Sequence, residues 1–192
     1  FIPTMGGLHK GHISLIKTAK KYTNKTLVSI YVNPKQFNKK EDYKNYPINL
    51  AKDLKILKKL KVNYLYLPTY KDLFKFKPSC RIYLHKFSKI LCGKYRKYHF
   101  KGVLDVINRF LEIIHPKYLF LGFKDFQQLT LIKKHILKNK IDTKIISCKT
   151  VREASGIAFS SRNFNLNKNQ MKIAKNVYSY LIRIKKKNKK KF

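Results

Sequence analysis

Short runs of β-branched and aromatic residues alternate with amphipathic helical patterns along this chain, and that alternation limits the folds open to it. Thr26–Val32, Val62–Leu67, Lys117–Gly122 and Lys144–Cys148 read as strands. Between them, apolar residues return at helical spacing over Ile13–Tyr22, Leu50–Leu60, Val103–Ile114 and Leu129–Leu137. Strand, helix and strand in repeated order imply right-handed crossovers and a parallel sheet. The expected fold is therefore α/β, a doubly wound, Rossmann-like parallel sheet. Ligands in such sheets bind outside the carboxyl ends of the strands, so the junctions after each strand are where chemistry is sought.

The first junction is the most informative. Phe1-Ile-Pro-Thr-Met-Gly-Gly-Leu-His-Lys-Gly-His12 reads as a strand end, a glycine turn and a helix start. Gly6 and Gly7 permit a tight turn, and the free N–H groups and dipole of the helix favour an anion there. His9 and His12 flank Gly11 and supply donors that can follow charge building on a phosphoryl group. The plainer alternatives for this motif are chance, a helix cap or a structural metal. A second junction, Gly122-Phe-Lys-Asp-Phe-Gln-Gln128, places Lys124 at a strand end, Asp125 as a helix N-cap and Gln128 one turn into the helix. In the polar loop Asn33–Pro47, Asn33 and Gln36 are uncharged and suited to reading a hydroxyl or carboxylate. Phe159-Ser160-Ser161-Arg162-Asn163 combines two hydroxyls with a guanidinium, a set able to close over a triphosphate. The region from Thr69 to Lys101 is the least regular, with a short strand expected near Ile82 and a short helix near Ile90. A final helix begins near Asn167, with Met171, Ile173, Ala174, Val177 and Leu181 on its apolar side, and a lysine-rich solvated tail follows it.

Composition narrows the classes further. Forty-five Lys and Arg against nine Asp and Glu give a formal net charge of +36. A charge of that size confers nonspecific affinity for polyanions. The lysines are spread over nearly every segment, which favours solvated faces over a dedicated nucleic-acid groove. Cys80, Cys92 and Cys148 are widely spaced and form no Cys-x-x-Cys pair, so neither a disulfide framework nor a zinc knuckle is indicated. With no leader and no long apolar run, the expectation is a cytoplasmic protein without membrane or specific nucleic-acid partners.

Five segments in order resemble the pantothenate synthetase family of the nucleotidyltransferase superfamily. They are Pro3–His12, Val32-Asn-Pro-Lys-Gln-Phe37, His99-Phe-Lys-Gly-Val103, Gly122–Gln128 and Phe159–Asn163. The resemblance implies a His-x-Gly-His nucleotidyltransferase fold and an ATP- and Mg²⁺-dependent ligase, a homodimer, that joins pantoate to β-alanine through a pantoyl adenylate. It assigns His9 and His12 to the phosphates, and Lys124, Ser160, Ser161 and Arg162 to the triphosphate. It lays Met5, Gly122 and Asp125 along the nucleotide, and gives Gln36 and Gln128 to pantoate. The chain departs from the family at Cys92 and Ser155, where acidic residues are usual, and at Phe159, where Met is. It also has Arg96-Lys-Tyr-His-Phe100 for the usual Arg-Pro-Gly-His-Phe.

The expected domains are 1–165, nucleotide-binding with an incomplete first strand, and 166–192, the beginning of a lid with a lysine-rich tail. Without the rest of a lid, ATP binding with poor turnover or leakage of adenylate is expected. Two other readings stand beside this one. A related adenylyl- or cytidylyltransferase would need charged partners for its substrate in place of Gln36 and Gln128. A non-catalytic basic binding protein would show steep salt dependence and no ATP turnover.

Overall fold

A computed structural model describes residues 1–189, so the final residues of the expected lysine tail, 190–192, lie outside the described residues. Strands β1 (Ile2–Thr4), β2 (Leu27–Ile30) and β3 (Tyr64–Tyr66) pair in parallel in the order β1-β2-β3. Strands β4 (Tyr118–Gly122) and β5 (Lys144–Cys148) form a second parallel pair. Phe1 joins the two, because its amino nitrogen donates to Tyr118 O at 2.7 Å and its carbonyl accepts from Phe120 N at 3.0 Å. One residue bonded to positions 118 and 120 is the slanted ladder of a parallel pair. The strands therefore run β3-β2-β1-β4-β5, and the order reverses direction between β1 and β4.

Helices cover both faces of this sheet. On one face lie α1 (Lys10–Tyr22) and α3 (Leu50–Lys59), whose Ile16, Ala19 and Leu57 pack with Ile2, Val28 and Phe120. On the other lie α6 (His99–Ile114) and α7 (Phe126–Lys138), with Leu104, Phe110 and Ile132 packing against Leu119 and Leu121. Neighbouring residues of β4 thus enter opposite cores, as the two-residue period of a strand requires. Short helices α2 (Lys40–Lys44), α4 (Tyr70–Phe74) and α5 (Cys92–Tyr95) sit in the connections, and α8 (Lys168–Lys189) closes the described chain. Among the described residues no helix is long and apolar enough to cross a membrane.

The doubly wound α/β fold is as expected, and the differences are local. The loop Asn33–Pro47 holds a 3-10 turn, Pro34–Gln36, and α2. No strand forms near Ile82. The backbone there is met by side chains from the helices behind it, with Tyr83 N donating to His135 Nδ1 at 3.2 Å and Cys80 O accepting from Asn108 Nδ2 at 3.4 Å. Once its polar groups are satisfied that way, the segment needs no strand neighbour. On α8 the apolar residues Ile173, Val177 and Leu181 are exposed.

Helix α6 is the most deeply buried helix, and its entry fixes the loop after β2. Asn33 is buried, donates to Gly102 O at 3.0 Å and accepts from Lys35 N at 3.2 Å. The polar side chain of Asn33 is therefore spent on backbone and does not serve as the expected ligand-reading group. Gly102 lets the helix and the turn touch, since a Cβ at that position would overlap the Lys35 carbonyl. Gly102→Ala is expected to lower stability by about 1–3 kcal/mol, the usual cost of overpacking a filled site. Chemical denaturation checks this, and an unchanged midpoint would contradict the described contact.

Candidate active site

A cleft of about 240 Å³ opens where β1 and β4 diverge, at their carboxyl ends. Two strand-to-helix junctions build it, one after β1 and one after β4. Between β1 and α1 the chain turns through Gly6 and Gly7, at φ +81° and +61°, a region costly for residues with a Cβ. Asp53 of α3, 1 % exposed, holds this turn by accepting Gly7 N and Leu8 N at 2.8 Å each. Ser161 donates to Gly7 O at 3.1 Å from the other side. A buried carboxylate satisfied by two amide donors is a strong local tie, because leaving either side unpaired would be costly.

That turn delivers His9 to the N-cap of α1. Gly11 N donates to His9 Nδ1 at 3.1 Å, and His9 N donates to His12 Nδ1 at 3.3 Å. Each Nδ1 is an acceptor, so each neutral ring carries its proton on Nε2. The rings lie 4.1 Å apart, and Phe159 stacks on His9 at 6.2 Å. Burial, with help from Lys124, lowers His9 to about 4. Burial, His9 and Lys124 together lower His12 to about 3. The motif thus offers two uncharged N–H donors at neutral pH.

The β4 junction supplies the facing wall. Gly122, Lys124, Asp125 and Gln128 all line the cleft. Asp125 occupies the N-cap position of α7, yet its side chain makes no capping bond and accepts instead from Lys124 Nζ at 3.1 Å. The expected cap is corrected accordingly: a 3-10 turn, Phe123–Asp125, precedes the helix and leaves the carboxylate on its lysine neighbour.

The remaining expected residues gather on the same cleft. Met5 and Gln36 touch, with Gln36 Nε2 donating to Met5 Sδ at 2.7 Å, and Ser160, Ser161 and Arg162 form the third side. Arg162 makes a bidentate pair with Asp42 of α2, Nε to Oδ1 at 3.1 Å and Nη2 to Oδ2 at 2.9 Å. That bond raises Arg162 and lowers Asp42 relative to their ordinary values.

Further residues line the cleft. Tyr46 does so from a segment without a regular pattern, Arg96 and His99 from the stretch that resembles the family's Arg-Pro-Gly-His-Phe, and Lys149 and Thr150 from just beyond β5. Their position after a strand end is the one feature that could have pointed to Lys149 and Thr150. His99 Nδ1 bonds Gln36 O at 2.7 Å, and burial lowers its pKa to about 4. Arg96 is lowered by burial, then by Arg162. Asp53 gives no signal in the sequence, because a lone Asp inside an amphipathic helix looks like a solvated position.

Asp53→Asn leaves Gly7 N or Leu8 N facing an NH2 group, and is expected to cost about 1.5–3 kcal/mol in urea unfolding. The histidines set a pH dependence. Below about 6.5 the unfolded chain takes up protons that the folded chain refuses until about 4 at His9 and His99 and about 3 at His12. Their contribution to stability is therefore complete above pH 6.5 and is lost as pH falls through that window. NMR of the imidazole nitrogens is expected to show His9 and His12 neutral and protonated on Nε2 at pH 5. A midpoint near 6.5 for either would refute the described burial.

The same sequence pattern and fold recur in known proteins. A family model described as Pantoate-beta-alanine ligase matches residues 1–192. A pantothenate synthetase of Francisella tularensis subsp. novicida is 46% identical over 187 residues, covering 94% of this chain and 70% of that protein. A crystal structure of a Francisella tularensis pantoate-beta-alanine ligase, complexed with beta-gamma ATP and beta-alanine, superposes with a TM-score of 0.88 at 46% identity, covering 93% of this chain and 69% of the other. The pantothenate synthetase of Thermus thermophilus gives a TM-score of 0.90 at 32% identity, covering 95% of this chain and 66% of the other.

Proposed function

The chain belongs to the pantoate-beta-alanine ligase family, and on that premise we propose that its cleft joins pantoate to β-alanine using ATP by way of a pantoyl adenylate. One observation carries the assignment of the chemistry to this cleft. The His9–His12 pair after β1 and Lys124 with Gln128 after β4 face the same space at the reversal of strand order. In the first step a carboxylate oxygen of pantoate attacks the α-phosphorus, the bond from that phosphorus to the bridging oxygen breaks, and pyrophosphate leaves. In the second, the β-alanine amine attacks the acyl carbon, AMP leaves, and the nitrogen gives up a proton.

The first step calls for positioning and charge stabilisation more than covalent help. His9 and His12, as neutral Nε2–H donors of fixed orientation, suit phosphoryl oxygens that gain charge. Lys124, Ser160 and Arg162 bind the triphosphate, while Ser161 serves the nucleotide mainly by holding the glycine turn. Met5, Gly122 and Asp125 lie along the nucleotide. Gln36 and Gln128 read pantoate, and uncharged amides suit a hydroxy acid because a wrong substrate leaves them unpaired.

Among the described residues no group of three or more His, Cys, Asp or Glu forms a metal cage. Asp125 is the acidic residue on the cleft wall. That donor set fits Mg²⁺ arriving on the nucleotide, since the ion takes phosphate oxygens, water and one or two carboxylates. When bound it relieves negative charge on the phosphates. By resemblance to its family, the protein works as a cytoplasmic homodimer.

The test is ATP–pyrophosphate exchange with Mg²⁺, with and without D-pantoate. Exchange is expected to require pantoate and to fall at least about a hundredfold in the His9→Ala, His12→Ala double variant, given the usual worth of one such donor. Exchange without pantoate, or exchange that survives the double variant in folded protein, would overturn the proposal.

A further inference from the structure

Two glutamines open α7, and they face different ways. Gln128 lines the cleft, whereas Gln127 is buried behind it. The Gln127 amide donates to Phe87 O and to Ile90 O, both at 2.7 Å, using both of its N–H groups. Its Oε1 is buried without a partner. A buried, half-satisfied amide is retained against a cost, so what it holds is of interest.

It holds the irregular wall of the cleft. Between α4 and α6 regular structure is limited to a 3-10 turn, Lys86–Lys89, and the single turn of α5. Gln127 grips that 3-10 turn at Phe87 within it and at Ile90 just after it, and six residues beyond Ile90 the chain reaches Arg96. Two backbone positions on this path are strained: Leu91 at φ +51° and Tyr98 at φ +63°, both residues with a Cβ in the left-handed region. Strained positions persist where the surroundings over-determine them. The wall then ends on His99, whose ring bonds Gln36 O at 2.7 Å.

We propose that Gln127 is the positioning residue of the acid-binding side of the cleft, setting Gln36 through the Phe87–His99 wall while its neighbour Gln128 enters the cleft directly. The first turn of α7 thereby governs both amides assigned to the acid. This rests on the assignment of pantoate to Gln36 and Gln128. The phosphate side depends on Asp53 and the glycine turn instead, so loss of the Gln127 bonds falls on one substrate only.

Gln127→Met keeps the length and removes both donors, and Gln127→Glu keeps the shape and sets a carboxylate against two carbonyls. Pantoate KM is expected to rise about tenfold in Gln127→Met, and more in Gln127→Glu, with ATP KM within about twofold of the parent. In parallel, amide hydrogen exchange is expected to quicken over residues 87–98 and to stay unchanged in α6 and β4. Equal rises in both KM values, an unchanged pantoate KM, or faster exchange throughout the chain would overturn the positioning role. Parent protein lacking pantoate-dependent exchange would overturn the acid assignment itself, and the hydrogen-exchange arm would then decide whether Gln127 holds the wall.

Discussion

The carboxylate of Asp53 is the tie on which the site depends. It accepts the amides of Gly7 and Leu8, so the glycine turn has one shape, and that shape delivers His9 to the start of α1. Ser161 closes the turn from the opposite side, which links a segment 154 residues away to the same few atoms. The tie works because α3 packs on the same face as α1, placing the carboxylate under the turn within a continuous core. Sheet order does the rest, bringing the β4 junction to the other side of the opening.

Much of this arrangement is legible in the residues. Strand and helix alternation yields the doubly wound sheet, since a short continuous apolar run is clear over Lys117–Gly122 and an apolar period of 3.6 over Val103–Ile114. His9, His12, Lys124 and Gln128, singled out because they follow strand ends, do line one cleft. The expectations that fail share one physical cause. For Asn33, Asp125 and the segment around Ile82 residue type alone is a poor guide, and in each case a tertiary partner decides the outcome: Gly102 O, Lys124 Nζ, and the side chains of Asn108 and His135. Asp53 and Gln127 are silent for the same reason. A buried polar group looks like any other polar residue until the backbone it serves is known.

The two sides of the cleft are built in different ways. The β1 side is a short glycine turn between regular elements, tied by Asp53 and Ser161. The side facing α7 is a long irregular stretch held by side chains of α6 and α7, with positive φ at Leu91 and at Tyr98, where the family resemblance anticipates glycine. Rigidity on the first side comes from local geometry, and on the second from tertiary anchoring.

Given the phosphate role proposed for His9 and His12, their neutrality has a consequence for selectivity in a chain with a formal charge of +36. Fields from so many lysines draw in every polyanion alike, and dissolved ions weaken that pull beyond a screening distance of about 8 Å at physiological ionic strength. Two uncharged dipoles of fixed direction are almost indifferent to dissolved ions and act only at contact. Added electrolyte therefore strips away the indiscriminate attraction and leaves the contact-range recognition in place, so the discrimination between one phosphate compound and another sharpens as ionic strength rises.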